Sequence, residues 1–193
     1  MDKEAAQNLA AAQIVPLEKA EWQGYCLEFR YTSHNYYDVE VSHTGGGFNA
    51  SFVKKPYDTP FKKQPDGNDM LFQPWWDDIK VWGVHCQDKL MAAIETAVEE
   101  WNNRLRVTEL WVHEDCRRRG IAVALMDKAI ERAKAEKRRA VVLETQSCNE
   151  GAINFYINYG FSLIGFDACA YQNNDLDRKE VRMEFGILLN YDS

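Results

Sequence analysis

Between Leu105 and Thr145 the sequence changes its period twice, and few folds accommodate that. Leu105-Arg106-Val107-Thr108-Glu109-Leu110-Trp111-Val112-His113 reads as a strand. A basic turn follows at 116–119. Ile121, Leu125, Ala129 and Ala133 then recur on one face of a helix that runs to about Glu136. Ala140-Val141-Val142-Leu143-Glu144-Thr145 returns to a short, buried strand. Residues 149–159 form a second helix, with Gly160 where a C-terminal stop is wanted. Two more strands lie near 162–171 and 180–189, separated by the polar stretch Asn173 to Lys179. The second half thus reads β-α-β-α-β-β, a mixed sheet with helices packed on it.

The first half is richer in strand. Leu27, Phe29 and Tyr31 alternate with polar neighbours, as do Tyr37, Val39 and Val41, and Phe48, Ala50 and Phe52 continue the period of two. Ser33-His34-Asn35 and Gly45-Gly46-Gly47 supply turns. Residues 55–69, with Pro56, Pro60, Pro65 and Gly67, read as the longest loop. Residues 79–87 form a strand, and 90–101 form either its hairpin partner or a helix, a choice the period leaves open. Residues 4–20 are rich in helix formers, interrupted at Pro16.

A chain of 193 residues is about one domain long. Its 46% hydrophobic and 27% charged residues suit a soluble globular fold. A formal charge of −7 disfavours nucleic acid and a polybasic membrane anchor as partners. Met1 to Val15 lacks the basic start and apolar block of a signal peptide, and no stretch approaches the ~18 apolar residues of a membrane span. The five cysteines are widely spaced without a C-x-x-C pair, which suits reduced thiols in a cytoplasmic protein. The histidines show no metal-ligand spacing, and Cys148 has no paired base to make it a nucleophile.

The turn Arg117-Arg118-Arg119-Gly120-Ile121-Ala122 joins a strand to a helix. A helix N-terminus offers unpaired N–H groups and partial positive charge, so phosphates bind there readily. Gly120 permits close backbone approach and Ala122 does not obstruct it. The plainer reading of such a tripeptide is a solvated turn; its place at a strand-to-helix junction favours a phosphate-bearing ligand. Neither a Walker A loop nor a dinucleotide fingerprint is present.

Arg117-x-x-Gly120-x-Ala122 resembles the acetyl-CoA loop of the GNAT superfamily of N-acetyltransferases, Arg/Gln-x-x-Gly-x-Gly/Ala. The later run Asn149-x-x-Ala152-x-x-Phe155-Tyr156-x-x-x-Gly160-Phe161 resembles a signature of the same family's cofactor-binding half. Glu144-Thr145-Gln146, Gly165-Phe166-Asp167 and Tyr171 resemble its streptothricin-acetyltransferase-like branch. The resemblance covers about residues 79–189. The strand- and loop-rich part over about 1–78 departs from it: the family places helices between its first two strands, whereas residues 36–54 here read as extra strand.

The resemblance implies a single α/β domain over 1–193, with a twisted mixed sheet of about seven strands, flanking helices and a splayed central cleft. The implied reaction is acetyl transfer from acetyl-CoA to an amine. The backbone of Leu110, Trp111 and Val112 would pair with the pantetheine arm. Arg117, Arg118, Arg119, Gly120, Ile121, Ala122 and Val123 would hold the pyrophosphate. Asn149 would contact the cofactor arm through its side-chain amide, with Ala152 and Phe155 beside it.

Tyr156 corresponds to the family's general acid. A tyrosine pKa near 10 against a thiol near 8.5 makes full proton transfer uphill by about 2 kcal/mol, so a hydrogen bond to the departing sulfur is the consistent role. Glu109 is the candidate base, acting directly or through water, because an alkylamine near pKa 10.4 must lose a proton before it attacks. Strict alternation puts Val107, Glu109 and Trp111 on one face and Thr108, Leu110 and Val112 on the other, unless a bulge changes the parity.

On the acceptor side, Trp75-Trp76-Asp77-Asp78 pairs aromatic faces with carboxylates, a receptor for a cation or else an anchor for its loop. Asp167 and Tyr171 are further candidates. The expected substrate is a small polycationic amine of the streptothricin or aminoglycoside kind, and a homodimer is the expected assembly. Two rivals remain: a protein lysine or N-terminal acetyltransferase, and a non-catalytic acyl-CoA sensor module.

Overall fold

The computed structural model describes residues 13–189. Nine strands and four α-helices follow in chain order among them. They are β1 (Ile14–Leu17), α1 (Lys19–Trp22), β2 (Tyr31–Thr44), β3 (Gly47–Lys63), β4 (Asp77–Cys86), β5 (Lys89–Glu99), β6 (Arg104–Val112), α2 (Ile121–Ala135), β7 (Ala140–Gln146), α3 (Glu150–Tyr159), β8 (Ser162–Asp167), α4 (Asp175–Arg178) and β9 (Arg182–Leu188). Seven strands form one sheet in the order β1-β4-β5-β6-β7-β9-β8, and β2 and β3 form a separate ribbon. β6 and β7 run parallel while β1-β4, β4-β5, β5-β6 and β8-β9 are antiparallel, so the sheet is mixed as expected. The described residues cluster into two compact units, one of residues 13–30, 64–143 and 187–189, the other of 31–63 and 144–186.

In the first unit the open choice at 90–101 resolves to strand. Leu90 to Val98 is buried at every position. A strand covered on both faces shows no polar-apolar alternation, so its period looks like nothing in particular. One face carries a core of Leu17, Leu27, Leu71, Phe72, Val81, Leu90, Ala93 and Trp111. Gly83 on β4 makes room there: a Cβ would sit 2.7 Å from Leu90 Cδ1 and 2.9 Å from Leu17 Cδ1, so those side chains would have to shift. α2 buries the expected stripe of Ile121, Leu125, Ala129 and Ala133. It also buries Arg132, whose guanidinium donates to the Thr96 carbonyl at 3.0 Å and hydroxyl at 2.9 Å and to the Asp78 carboxylate at 2.5 Å. The five N–H donors of a guanidinium, met by fixed acceptors, make such burial tolerable.

Three expectations are corrected. Ile14–Leu17 is a strand paired with β4, from Ile14↔Val84 to Leu17↔Val81, not part of a helix; residues 4–12 of that expected helix lie outside the described residues. Ser33-His34-Asn35 is a register shift inside β2 rather than a turn. The expected loop at 55–69 is strand as far as Lys63. Pro56 and Pro60 are tolerated because a two-stranded ribbon is all edge, and an edge position asks no N–H of them.

In the second unit the ribbon is tied to α3. The Asn35 amide donates to both Glu150 carboxylate oxygens, at 3.0 and 3.1 Å, and the Lys54 ammonium sits 2.5 Å from Oε1. Asp38 accepts from Lys179 at 2.8 Å and Lys55 at 2.5 Å, and those hydrogen bonds hold its carboxyl below the usual range. Gly160 closes α3 at φ 114, its N–H reaching the Tyr156 and Ile157 carbonyls at 3.1 Å.

Candidate functional site

The first unit carries the strand, turn and helix N-terminus singled out above. The β5–β6 register pairs Glu95 with Glu109 and then Thr96 with Val107. Thr108 is therefore an extra residue on β6, a bulge. Register partners share a face, so the bulge moves Val107 to the side of Leu110, while Glu109 stays with Trp111. The strict alternation is corrected in that respect. The Trp111 indole donates to the Glu28 carbonyl at 3.0 Å, and the His113 N–H donates to the Met91 carbonyl at 2.8 Å. The C-terminal end of β6 is thus held by two bonds.

Glu95 is the residue that sequence reasoning missed. It is fully buried, accepts from the Phe72 backbone N–H at 2.5 Å and from the Thr108 hydroxyl at 2.9 Å, and burial pushes its carboxyl up against those two bonds. The signal was present: Glu95 is the lone charged residue in the run Leu90 to Val98.

The turn lies at the junction of β6 and α2. Gly120 is the residue preceding α2, at φ 80, and no side chain caps the helix. Its first N–H groups are left to be satisfied by another partner. A Cβ at Gly120 would meet nothing within 4 Å. Arg118 is also left-handed, at φ 60, and exposed. Arg117 is different. Its Nε donates to the Val112 carbonyl at 3.1 Å and its terminal nitrogen to the Arg30 carbonyl at 2.5 Å. Its guanidinium braces the end of β6. Trp75 is largely exposed, whereas the Trp76 ring already holds the Arg106 guanidinium 5.8 Å from its centroid. Asp77 is exposed.

The second unit carries the other half of the candidates. The Asn149 carboxamide oxygen accepts from the Ala152 N–H at 3.2 Å and so caps α3. Tyr156 is buried among Phe155, Phe161 and Phe185, at centroid distances of 5.6, 5.9 and 6.1 Å. Cys148 is fully buried; burial pushes its thiol up to about 11, and the Tyr31 hydroxyl lies 3.8 Å from its sulfur. That environment suppresses the thiolate, consistent with a cysteine that is no nucleophile. Asp167 accepts the Cys169 N–H at 2.9 Å. The Tyr171 hydroxyl lies 3.5 Å from the Glu144 carboxylate, which also pairs with Arg182. Burial, then the Glu144 charge, raises the Tyr171 phenol. Glu109, Leu110–Val112, the arginine turn and Trp75–Asp77 therefore belong to the first unit, and Asn149, Ala152, Phe155, Tyr156, Asp167 and Tyr171 to the second.

Comparison with known proteins gives a consistent answer. Residues 50–161 match the acetyltransferase (GNAT) family. The streptothricin acetyltransferase of Streptomyces lavendulae is 28% identical over 152 residues, 76% of this chain and 78% of that protein. The crystal structure of nourseothricin acetyltransferase superposes with a TM-score of 0.74 at 25% identity, covering 93% of this chain and 99% of that one. A Bacillus anthracis protein in complex with acetyl coenzyme A shares the fold, with a TM-score of 0.70 at 19% identity and coverage of 95% and 100%.

Proposed function

Because the chain belongs to the GNAT family and is an N-acetyltransferase that uses acetyl-CoA, we propose that its acceptor is a primary amine of a small polycationic molecule of the streptothricin class. The observation that carries this reading is the likeness, over most of both chains, to enzymes named for that one substrate class.

Acetyl-CoA supplies the activated acetyl group and a thiol leaving group. In this chain the N–H groups at the start of α2 and the charges of Arg118 and Arg119 hold the pyrophosphate. Arg117 keeps the turn and the end of β6 together, a role in support of the same contact. The backbone of Leu110 to Val112 aligns the pantetheine arm. The Asn149 side chain, having given its oxygen to the Ala152 N–H, offers its amide hydrogens to that arm, with Ala152 and Phe155 beside it. Glu109 accepts the ammonium proton, directly or through water, which frees the lone pair for attack. The buried Tyr156 stabilises negative charge on the departing sulfur by hydrogen bonding.

Recognition of the acceptor rests on carboxylates and rings. Trp75 and Asp77 are accessible for this, as is Tyr171. Trp76 has one cation on its ring already, which favours an anchoring role. The test is free-thiol release from acetyl-CoA against streptothricin, aminoglycosides, polyamines, amino acids and lysine peptides. Saturable turnover on streptothricin supports the reading. Turnover confined to lysine peptides overturns it in favour of a protein acetyltransferase, and acetyl-CoA binding without turnover on any amine favours a sensor.

A further inference from the structure

Glu95 has no role in the chemistry above, yet it occupies a place that a hydrophobic residue would fill more cheaply. A buried carboxylate is unfavourable unless its oxygens find donors. Glu95 has two, and both are informative. One is the N–H of Phe72, a buried residue in the left-handed region at φ 59, on the segment that precedes β4. The other is the hydroxyl of Thr108, the extra residue of the β6 bulge. Bulges of this kind re-aim the side chains that follow them. Here the residues that follow are Glu109 and Leu110–Val112.

We infer that Glu95 is a positioning residue for acetyl transfer: its carboxylate fastens the bulge at Thr108 and thereby sets the face of Glu109 and the backbone of Leu110–Val112. The inference rests on the assignment of that backbone to acetyl-CoA. The register makes the consequence concrete. With the bulge, Glu109 stands opposite Glu95; without it, a one-residue slip would put Thr108 there and turn Glu109 to the α2 side. Misplacement of a reacting group by about 1 Å is enough to lower turnover about 10²-fold.

Three variants test this. Thr108→Val keeps shape and removes one donor. Glu95→Leu removes both acceptors and leaves the buried Phe72 N–H unpaired. Glu95→Gln keeps both contacts, since its carbonyl accepts from Phe72 and its amide donates to the Thr108 oxygen. Backbone amide exchange of Glu109–Val112 is followed in the protein without acetyl-CoA, alongside kcat and the KM values, at a temperature where all variants are folded by circular dichroism. The expected result is about ten-fold faster exchange at Glu109–Leu110 in Thr108→Val, as suits one lost bond to a charged group, and more in Glu95→Leu. Both should lower kcat rather than the amine KM, and Glu95→Gln should restore exchange and kcat to near wild type. Unchanged exchange in the folded Thr108→Val and Glu95→Leu proteins overturns the inference, and so does faster exchange with wild-type kcat, which would mean a merely structural bond. Glu95→Gln as impaired as Glu95→Leu also overturns it, because a charge rather than a bulge would then be what matters. If the wild-type protein fails to transfer acetyl at all, the acetyl-CoA reading of β6 falls, and the exchange data still decide whether Glu95 holds the bulge.

Discussion

Replacing Gly120 by alanine separates the backbone's role at the turn from any role of the arginines. Gly120 sits at φ 80, and its Cβ would meet nothing within 4 Å, so there is no clash to relieve. The left-handed conformation costs an alanine about 1–2 kcal/mol. The smaller entropy of the unfolded alanine chain returns about 0.4–1 kcal/mol of that. The net loss is then about 1 kcal/mol, which lowers Tm by roughly 2–4 °C for a chain of this size. The effect on acetyl-CoA should be larger. An alanine that relaxes from φ 80 swings the first N–H groups of α2 away from the ligand, and one that stays projects a methyl into the space a phosphate approaches. Loss of one charge-assisted hydrogen bond corresponds to about a ten-fold rise in Kd. Gly67, at φ 79 and equally free of neighbours, is the matched control: Gly67→Ala should shift Tm similarly and leave Kd alone. Calorimetric titration with acetyl-CoA and thermal melts give both numbers. Wild-type affinity in Gly120→Ala would refute the argument that this backbone holds the pyrophosphate.

Tyr156→Phe should lower kcat about 10²-fold with acetyl-CoA affinity nearly unchanged, and an unaltered kcat would remove Tyr156 from the chemistry. Glu109→Gln should lower kcat/KM and replace its acid limb, measured with one amine across pH 5 to about 9, by a rise that continues toward the amine's own pKa; a profile identical to wild type contradicts its role as base. Burial alone would raise the Glu136 carboxyl, but hydrogen bonds and charge from Lys80 and Arg132 bring it from 4.5 down to about 2. A carboxyl depressed in the folded state stabilises it above the unfolded value, and that contribution is lost as pH falls from about 4.5 towards 2. Glu136→Gln should therefore flatten the acid limb of Tm against pH in that window and lower Tm above it. Gly83→Ala should destabilise by about 1–3 kcal/mol through overpacking against Leu90 and Leu17, seen in urea unfolding, with acetyl-CoA affinity preserved.

What was legible in the sequence was what period and capping control. α2 and α3 were read with their buried stripe and their Gly160 stop, because a helix with one wet face declares itself. β5 stayed ambiguous for the opposite reason, being covered on both faces. β3 was misread because proline was weighed as a breaker, and a two-stranded ribbon imposes no such rule at its edges. The motif Arg117-x-x-Gly120-x-Ala122 placed the turn correctly, yet could not say that Arg117 faces backbone carbonyls. Asn149 was expected beside the cofactor, and its oxygen caps α3. One side chain with two polar ends can do both. Glu95 was missed because a lone charge inside an apolar run shows its purpose only once its partners, distant in sequence, are seen, and Arg132 because the charged stretch Glu131 to Arg138 reads as a solvated helix face.

The most direct test of the account is the mass spectrum of streptothricin after incubation with this protein and acetyl-CoA, with Tyr156→Phe run beside it. A single acetyl group is expected on a streptothricin amine, formed with matching release of free thiol and much more slowly by the variant. Unmodified streptothricin in the presence of bound acetyl-CoA, with acetylation appearing instead on lysine peptides, would contradict it.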